Sequence, residues 1–291
     1  MDPHLLATFV AVARHGSFSA AATELGYTQS AISQQIAALE ADLGLPLLRR
    51  RPVEPTPAGA RLLEHAAPLL LRLRAARADV LRAAARPRHR LRLAATPLST
   101  GPVLARRLAG VRARRPRLEV ALHTCGLDQV TAMVAEGEAD VGLVDGIAAP
   151  SDPLRLPDAG PMTTARVSEE DLAVALPVDH PLAGRAALRL AGLVDARWVR
   201  SPLCPLARLR DLMGDPAGDG FPTGLEHTGD DVHTVLALVA AGHGLTLLPA
   251  SALTPLVAGV PLAAPRLVHR VELLHGTLPP GTADLVKDLS G

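Results

Sequence analysis

Apolar residues recur over the first 58 positions at spacings that predict three short helices. Leu5, Leu6, Phe9, Val10 and Val12 stripe a helix from about Pro3 to His15, with Pro3 suited to the first turn and Gly16 to the stop. Ser17 or Ser19 is placed to cap a second helix that ends at Leu25, before Gly26. Thr28 caps a third, in which Ile32, Ile36, Leu39 and Leu43 fall at i, i+4, i+7 and i+11 and make one buried face. The tight "LGYT" connection makes the second and third helices a helix-turn-helix.

From about residue 57 to 87 the pattern lengthens. Leu62, Ala66, Leu69, Leu73, Ala76, Val80 and Ala83 alternate spacings of four and three, a heptad seam suited to helix pairing, with Arg72, Arg74, Arg77 and Arg82 outside it. Pro68 interrupts the run and predicts a bend without an end, since a mid-helix proline costs roughly 3 kcal/mol. "ARPRHR" (85–90) closes the helix and begins a linker.

Beyond residue 90 short strands alternate with helices. "LRLAAT" (91–96), "LEVALHT" (118–124) and "ADVGLVD" (139–145) read as strands, with helices over about 102–115 and at "LDQVTAMVAEG", an open parallel α/β unit. A second unit follows with strands at "EDLAVALP", "RWVRSP", "GLEHT" and "GLTLLP" and helices around 205–213 and 230–241. "HRVELLHG" (269–276) returns the chain to the first unit. Two lobes joined by crossing strands enclose a cleft, the usual place for a small ligand.

Charge sharpens this division. Residues 1–92 carry 13 Arg against 7 acidic residues, a net +6, whereas residues 93–291 carry −5. A basic front end on a mildly acidic body suggests a polyanion-binding module joined to something else. Only one Lys occurs, Lys287, and with 48% hydrophobic but 2% aromatic residues the composition is that of a globular chain built on Ala, Leu and Val. Cys125 and Cys204 read as free thiols of a reducing compartment, and no basic n-region or run of 18 apolar residues points to export or to a membrane span. The expected location is cytoplasmic.

The third helix carries Gln29, Ser30, Ser33, Gln34 and Gln35 with no charge among them. Amides and hydroxyls present donors and acceptors together, and Gln can pair bidentately with adenine. In a helix-turn-helix the N-terminal residues of this second helix meet base edges in the major groove. Arg49, Arg50 and Arg51 follow within a proline-bounded excursion, suited to a wing that meets phosphates. No G-x-S-x-G, P-loop, Rossmann glycine pattern or metal-ligand spacing occurs. His123, His227, His233 and His243 read as surface or supporting residues, so no catalytic residue, metal or cofactor is expected.

"LATFVAVARHGSFSAAATELGYTQSAISQQIAALEADLGLPLLRRRPVEPTPAGARLL" resembles the N-terminal domain of LysR-type transcriptional regulators, with Leu48 where that family usually has Phe. "GEADVGLV", "DHPLA" and "GDDVHTVLALVAAGHGLTLLP" resemble their effector domains. The resemblance implies an α+β multidomain chain: a winged helix-turn-helix (1–58), a dimerisation linker helix (59–90) and a two-lobed α/β effector domain (91–291) similar to type 2 periplasmic binding proteins. Lobe I would comprise about 91–163 and 266–291, and lobe II about 164–265. Carried over residue by residue, it puts Gln29, Ser30, Ser33 and Gln34 on bases and Ser17, Ser19 and the Arg50 region near DNA phosphates; Thr28, Arg49 and Arg51 complete the expected DNA-binding set. It lines the cleft with Pro97, Ser99, Thr100, Thr124, Asp145, Ser201, Pro202, Thr228, Gly229 and Asp230, although Asp230 reads first as a helix cap. Leu62, Ala66, Leu69, Leu73, Ala76 and Val80 would pair two chains. The implied partners are double-stranded promoter DNA, a small-molecule effector and further copies of the chain, as a dimer or tetramer. Two rival classes are a small-molecule binding protein without a DNA-reading role and an α/β enzyme.

Overall fold

The computed structural model of the 291-residue chain describes residues 1–83, 90–278 and 282–290. The linker expected at 85–90 falls outside them up to Arg90, as does the Ala83 side chain at the end of the seam. Two compact units result: Met1–Ala78 with Asp158–Gly160, and Asp79–Pro157 with Pro161–Gly291.

In the first unit α1 (Pro3–His15), α2 (Phe18–Leu25) and α3 (Gln29–Leu43) each start at a polar cap and stop at a left-handed glycine. The caps are Asp2, Ser17 and Thr28, and the stops are Gly16, Gly26 and Gly44. Of the two serines considered for α2, Ser17 caps, accepting from the Ala20 N–H at 3.3 Å. Ile32, Ile36 and Leu39 are fully buried against Leu6, Phe9, Val12, Phe18 and Ala21. Each such side chain contributes roughly 1.5–3 kcal/mol of burial. Leu43, expected on that face, is 37% exposed because α3 ends there and its last turn clears the core. Leu48, in the position where the family usually has Phe, is buried in this same core.

The antiparallel strands β1 (Leu48–Arg50) and β2 (Val53–Pro55) form the wing. α4 (Pro57–Ala83) then runs through Pro68 without ending. Its start is fixed by "TPAG": Thr56 Oγ1 accepts from the Gly59 N–H at 3.0 Å and donates to the Pro46 carbonyl at 2.8 Å. A Cβ at Gly59 would stand 2.1 Å from the Leu47 carbonyl oxygen, so only glycine lets the helix lie this close.

The second unit holds β3 (Arg90–Ala95), α5 (Pro102–Arg114), β4 (Glu119–Thr124), α6 (Leu127–Ala135), β5 (Val141–Ala148) and β6 (Thr163–Leu176). Next come β7 (Leu188–Arg189), β8 (Trp198–Arg200), α7 (Leu206–Leu212), β9 (Thr223–Glu226), α8 (Val232–Ala240) and β10 (Thr246–Pro249). β11 (Ala258–Ala264), β12 (Val268–His275) and α9 (Ala283–Ser290) complete it. β3 pairs in parallel with β4 and β5, as expected of the first lobe. The returning β12 lies antiparallel between β5 and β6, which makes the sheet mixed.

The 14-residue β6 is the crossing strand. Its first part, Thr163–Asp171, pairs with β12, and its last residues, Leu172–Leu176, pair with β10 and β11. Lobe I packs α5 and α9 around Leu93, Val111, Leu143, Leu273 and Leu289, and α6 around Val130 and Val134. Lobe II packs around Trp198, Leu172, Leu190, Leu209 and Leu247 on one side and Val235, Val239 and Leu248 on the other.

Candidate functional site

The amphipathic third helix divides its residues cleanly. Its apolar side builds the core, which leaves Thr28, Gln29, Ser30 and Gln34 exposed and Ser33 half-buried at the N-terminal end. Thr28 Oγ1 accepts from the Ala31 N–H at 3.2 Å and lies 3.0 Å from Ser30 Oγ, so this turn is held rigid. Gln35 leaves the set: its Oε1 accepts from Thr8 Oγ1 at 2.6 Å and its amide faces His4, tying α3 to α1. Ser19 is exposed on the first turn of α2, beside the capping Ser17.

The three wing arginines are exposed but differ in their surroundings. Arg50 lies 5.0 Å over the Phe18 ring and 3.8 Å from Glu40 Oε2. Glu40 also accepts from the Leu47 and Leu48 N–H groups at 2.8 and 3.2 Å, so α3 positions the wing through one carboxylate. Arg49 and Arg51 project without such an anchor among the described residues.

The expected seam on α4 splits in two. Ala66 is fully buried and Leu62 half-buried in the helix-turn-helix core, so both serve their own unit. Leu69, Leu73 and Val80 are 46, 51 and 72% exposed, and Ala76 is exposed with them, an apolar row on the outer side of one helix.

In the second unit a cavity of about 260 Å³ lies where the lobes meet, at the carboxyl ends of β3 and β5 and beside β6 and β10. Four of the ten expected cleft residues line it: Pro97, Asp145, Pro202 and Asp230. The other six do not. Ser99 is buried, its Oγ donating to the Thr96 carbonyl at 2.7 Å, and Thr100 donates to the Pro97 carbonyl at 2.6 Å. They shape the 3₁₀ turn Pro97–Thr100 and leave Pro97 and Leu98 to face the cavity. Thr124 and Thr228 are exposed, Gly229 is half-buried, and Ser201 is buried with no partner for its hydroxyl among the described residues. The cap of α8 is Asp231, whose carboxylate accepts from the Thr234 N–H at 2.7 Å, which frees Asp230 for the cavity wall.

The cavity also presents residues that the sequence reading passed over: Thr96, Arg155, Arg208 and His269, on a largely apolar wall that includes Leu98, Leu127, Leu172 and Leu247. His269 is 2% exposed, with Nε2 2.9 Å from Asp145 Oδ2 and Nδ1 3.6 Å from Glu170 Oε1. Burial opposes its charge, but the hydrogen bond to Asp145 and the negative charges of Asp145 and Glu170 outweigh burial and hold the imidazolium up to about 9. Glu170 falls below its usual range, chiefly through His269 and, in part, through Ser251, whose hydroxyl donates to it at 2.9 Å. A signal was present in sequence. β12 is buried on both sides, so a His, an Arg and a Glu inside "VHRVELLH" each require partners. Arg270 indeed pairs with Glu169 at 2.5 Å and donates to the Pro150 carbonyl at 2.6 Å.

An uncharged hydrogen-bonding helix end beside a basic wing, in a chain that also carries a two-lobed ligand cavity, defines a ligand-responsive DNA-binding regulator. Comparison with known proteins agrees. Residues 3–60 match the bacterial regulatory helix-turn-helix protein family, lysR type, and residues 84–277 the LysR substrate binding domain. The chain belongs to the LysR family of transcriptional regulators. A relative in Mycobacterium avium, "Probable hydrogen peroxide-inducible genes activator", is 36% identical over 98% of this chain and 91% of its own length. Full-length BenM is 26% identical, with a TM-score of 0.54 and coverage of 99% of this chain and 94% of that one. Full-length CbnR, solved in complex with its target DNA, is 26% identical, with a TM-score of 0.53 and 99% of both chains covered. Among the described residues, no helix is long and apolar enough to cross a membrane and no group of His, Cys, Asp or Glu is arranged to hold a metal ion.

Proposed function

We propose that this chain reads a promoter with Gln29, Ser30, Ser33 and Gln34, held on phosphates by Ser17, Ser19, Thr28, Arg49, Arg50 and Arg51. The observation that carries this reading is the exposure of uncharged hydrogen-bonding side chains at one end of α3 while the same helix buries Ile32, Ile36 and Leu39. The functional division is a reading head over 1–58, a pairing helix over 59–90 and an effector domain over 91–291. Two copies join through Leu69, Leu73, Ala76 and Val80, so that two heads meet one interrupted palindrome. The regulator works in the cytoplasm and catalyses no reaction.

The effector enters the cavity lined by Pro97, Asp145, Pro202 and Asp230. Its binding favours one lobe arrangement and so the spacing of the heads, by no more than its differential affinity for the two states. The name of the mycobacterial relative raises hydrogen peroxide as a signal. The thiols of this chain favour a reversibly bound molecule instead. Cys204 is fully buried and pushed up to about 11 by desolvation, and burial also raises Cys125. Peroxide reacts with thiolates.

The test is binding of the full-length protein to DNA from its own upstream intergenic region, titrated against salt. Selective binding whose log affinity falls linearly with log salt, by about 0.9 per phosphate contacted, supports the reading. Binding that ignores sequence, both on that fragment and across a genomic fragment library, overturns it.

A further inference from the structure

The cavity between the lobes contains five charged side chains, and among the described residues their pairing leaves two of them free. Asp145 is satisfied by His269 at 2.9 Å and by the Thr96 hydroxyl. Arg155 lies 3.5 Å from Asp211, outside the cavity. Arg208 donates through Nε to the Ile147 carbonyl at 3.3 Å, which points its guanidinium from α7 toward β5 and leaves the two terminal nitrogens without a partner among the described residues. Asp230 has no hydrogen-bond or ion-pair partner among them either. It lines the same cavity as Gly126 of lobe I. Arg208 and Asp230 thus border one cavity of about 260 Å³ without pairing with each other.

Much of the remaining cavity wall is hydrocarbon: Leu98, Leu127, Leu154, Leu156, Leu172 and Leu247. A ligand that buries itself here must match one free cation, one free anion and an apolar body. A neutral apolar molecule would desolvate both charges without compensation, and an apolar acid would leave Asp230 facing it unpaired. We propose that the effector is a zwitterion of small size, an α-amino acid with an apolar side chain. Its carboxylate pairs with Arg208, in the planar two-point geometry that guanidinium favours, and its ammonium pairs with Asp230. The proposal rests on the reading that this cavity is the effector site. It also gives the ligand leverage on the lobes, since both charged residues come from lobe II and line a cavity whose wall includes Gly126, Leu127 and Ile147 of lobe I, with Arg208 bonded to the Ile147 carbonyl.

The test is calorimetric titration of the full-length protein with L-leucine and L-phenylalanine. The same side chains without the amino group (4-methylpentanoate, 3-phenylpropionate) and without the carboxylate (3-methylbutylamine, 2-phenylethylamine) complete the panel. The expected result is binding of at least one amino acid, with both of its truncated analogues weaker by tenfold or more. Arg208→Gln should weaken the amino acid by at least tenfold. Asp230→Asn should do the same while leaving the amine-free acid unchanged or tighter. Both side chains are half-buried on the surface of lobe II, so these variants keep the core intact. An acid that binds as tightly as its amino acid and ignores Asp230→Asn overturns the zwitterion. Leu127→Trp fills the cavity and separates the two levels. If amino-acid binding survives it unchanged, the cavity reading fails. If instead only non-zwitterionic members of a mixed metabolite panel bind, and Leu127→Trp abolishes that binding, the cavity stands and the amino-acid class falls. Binding by no member of either panel overturns both.

Discussion

His269 Nε2 lies 2.9 Å from Asp145 Oδ2 in the wall of the interlobe cavity, with the imidazole almost wholly buried. The two residues sit on the paired strands β12 and β5, and Glu170 of β6 closes the cluster on the other ring nitrogen. Since Glu170 also accepts from Ser251, next to β10, this cluster joins the central strands of lobe I to lobe II.

The cluster makes stability depend on pH in a definite direction. Its folded-state value near 9 lies above the ordinary 6.5, so His269 contributes fully below about pH 6.5 and its contribution is lost as pH rises through about 9. Glu170 is shifted the other way, so its contribution is present above its ordinary 4.5 and is lost as pH falls. Denaturant midpoints of the full-length protein should therefore be highest near pH 5–7 and decline toward pH 9.5. His269→Leu should cost roughly 1.5–3 kcal/mol at pH 7, because it removes the charged partner of two half-buried carboxylates that keep only their Thr96 and Ser251 hydrogen bonds. A loss under 1 kcal/mol would show that the cluster is not charged as described.

The outer side of α4 separates pairing from folding. Leu73 is 51% exposed, whereas Ala66 is fully buried in the helix-turn-helix core. Leu73→Glu should reduce the mass measured by light scattering and leave the thermal transition of the isolated protomer within a few degrees. Ala66→Glu should instead unfold the reading head, since a carboxylate placed there has no partner. An unchanged mass for Leu73→Glu would remove this face from the assembly.

How much of this was legible follows from where the side chains find their partners. The three front helices were readable to within a residue, because their caps and glycine stops are local signals, as Thr28 and Gly44 illustrate for α3. The strand order of the lobes could be read only in outline. That β6 serves both lobes depends on pairings more than 70 residues away in β10 and β12, and half of it, "TTARVSEE", has no apolar alternation. The short β7 and the proline-containing β11 carry too little pattern to be seen. In the cavity the strand-end residues Pro97 and Asp145 were found by position. Arg208 and His269 were not, because their roles come from neighbours remote in sequence: Ile147, and the pair Asp145 and Glu170.

On the DNA-reading face, position and discrimination should separate. Gln29 is exposed and bidentate-capable, so Gln29→Ala should reduce discrimination by ~1–3 kcal/mol at one base pair and leave the salt dependence unchanged. Arg51 sits in the turn of the wing, and Arg51→Gln should weaken binding on all sequences alike and reduce the salt slope by about 1. Arg50→Gln differs from both. It also removes the contacts to Phe18 and Glu40, so a small loss of stability should accompany weaker binding. A mutated-site panel read at three salt concentrations distinguishes the three variants, and an unchanged base preference for Gln29→Ala rejects its assignment.

The thiols of this chain argue for a bound signal over an oxidising one. Cys204 is fully buried beneath lobe II, and desolvation, only partly offset by the Leu247 backbone and Thr246, pushes it up to about 11. At pH 7.5 the thiolate fraction of such a group is below about one in a thousand, and the sulfur has no exposed surface for an oxidant to approach. Cys125 is buried too, and raised by burial and by Asp230. The native protein should thus react with a disulfide reagent no faster than it opens, and micromolar hydrogen peroxide should leave both its mass and its DNA binding unchanged over minutes. Denaturant should expose two reactive thiols per chain. Rapid native oxidation of Cys204, read by mass spectrometry and accompanied by altered promoter binding, would replace the bound effector with a redox signal.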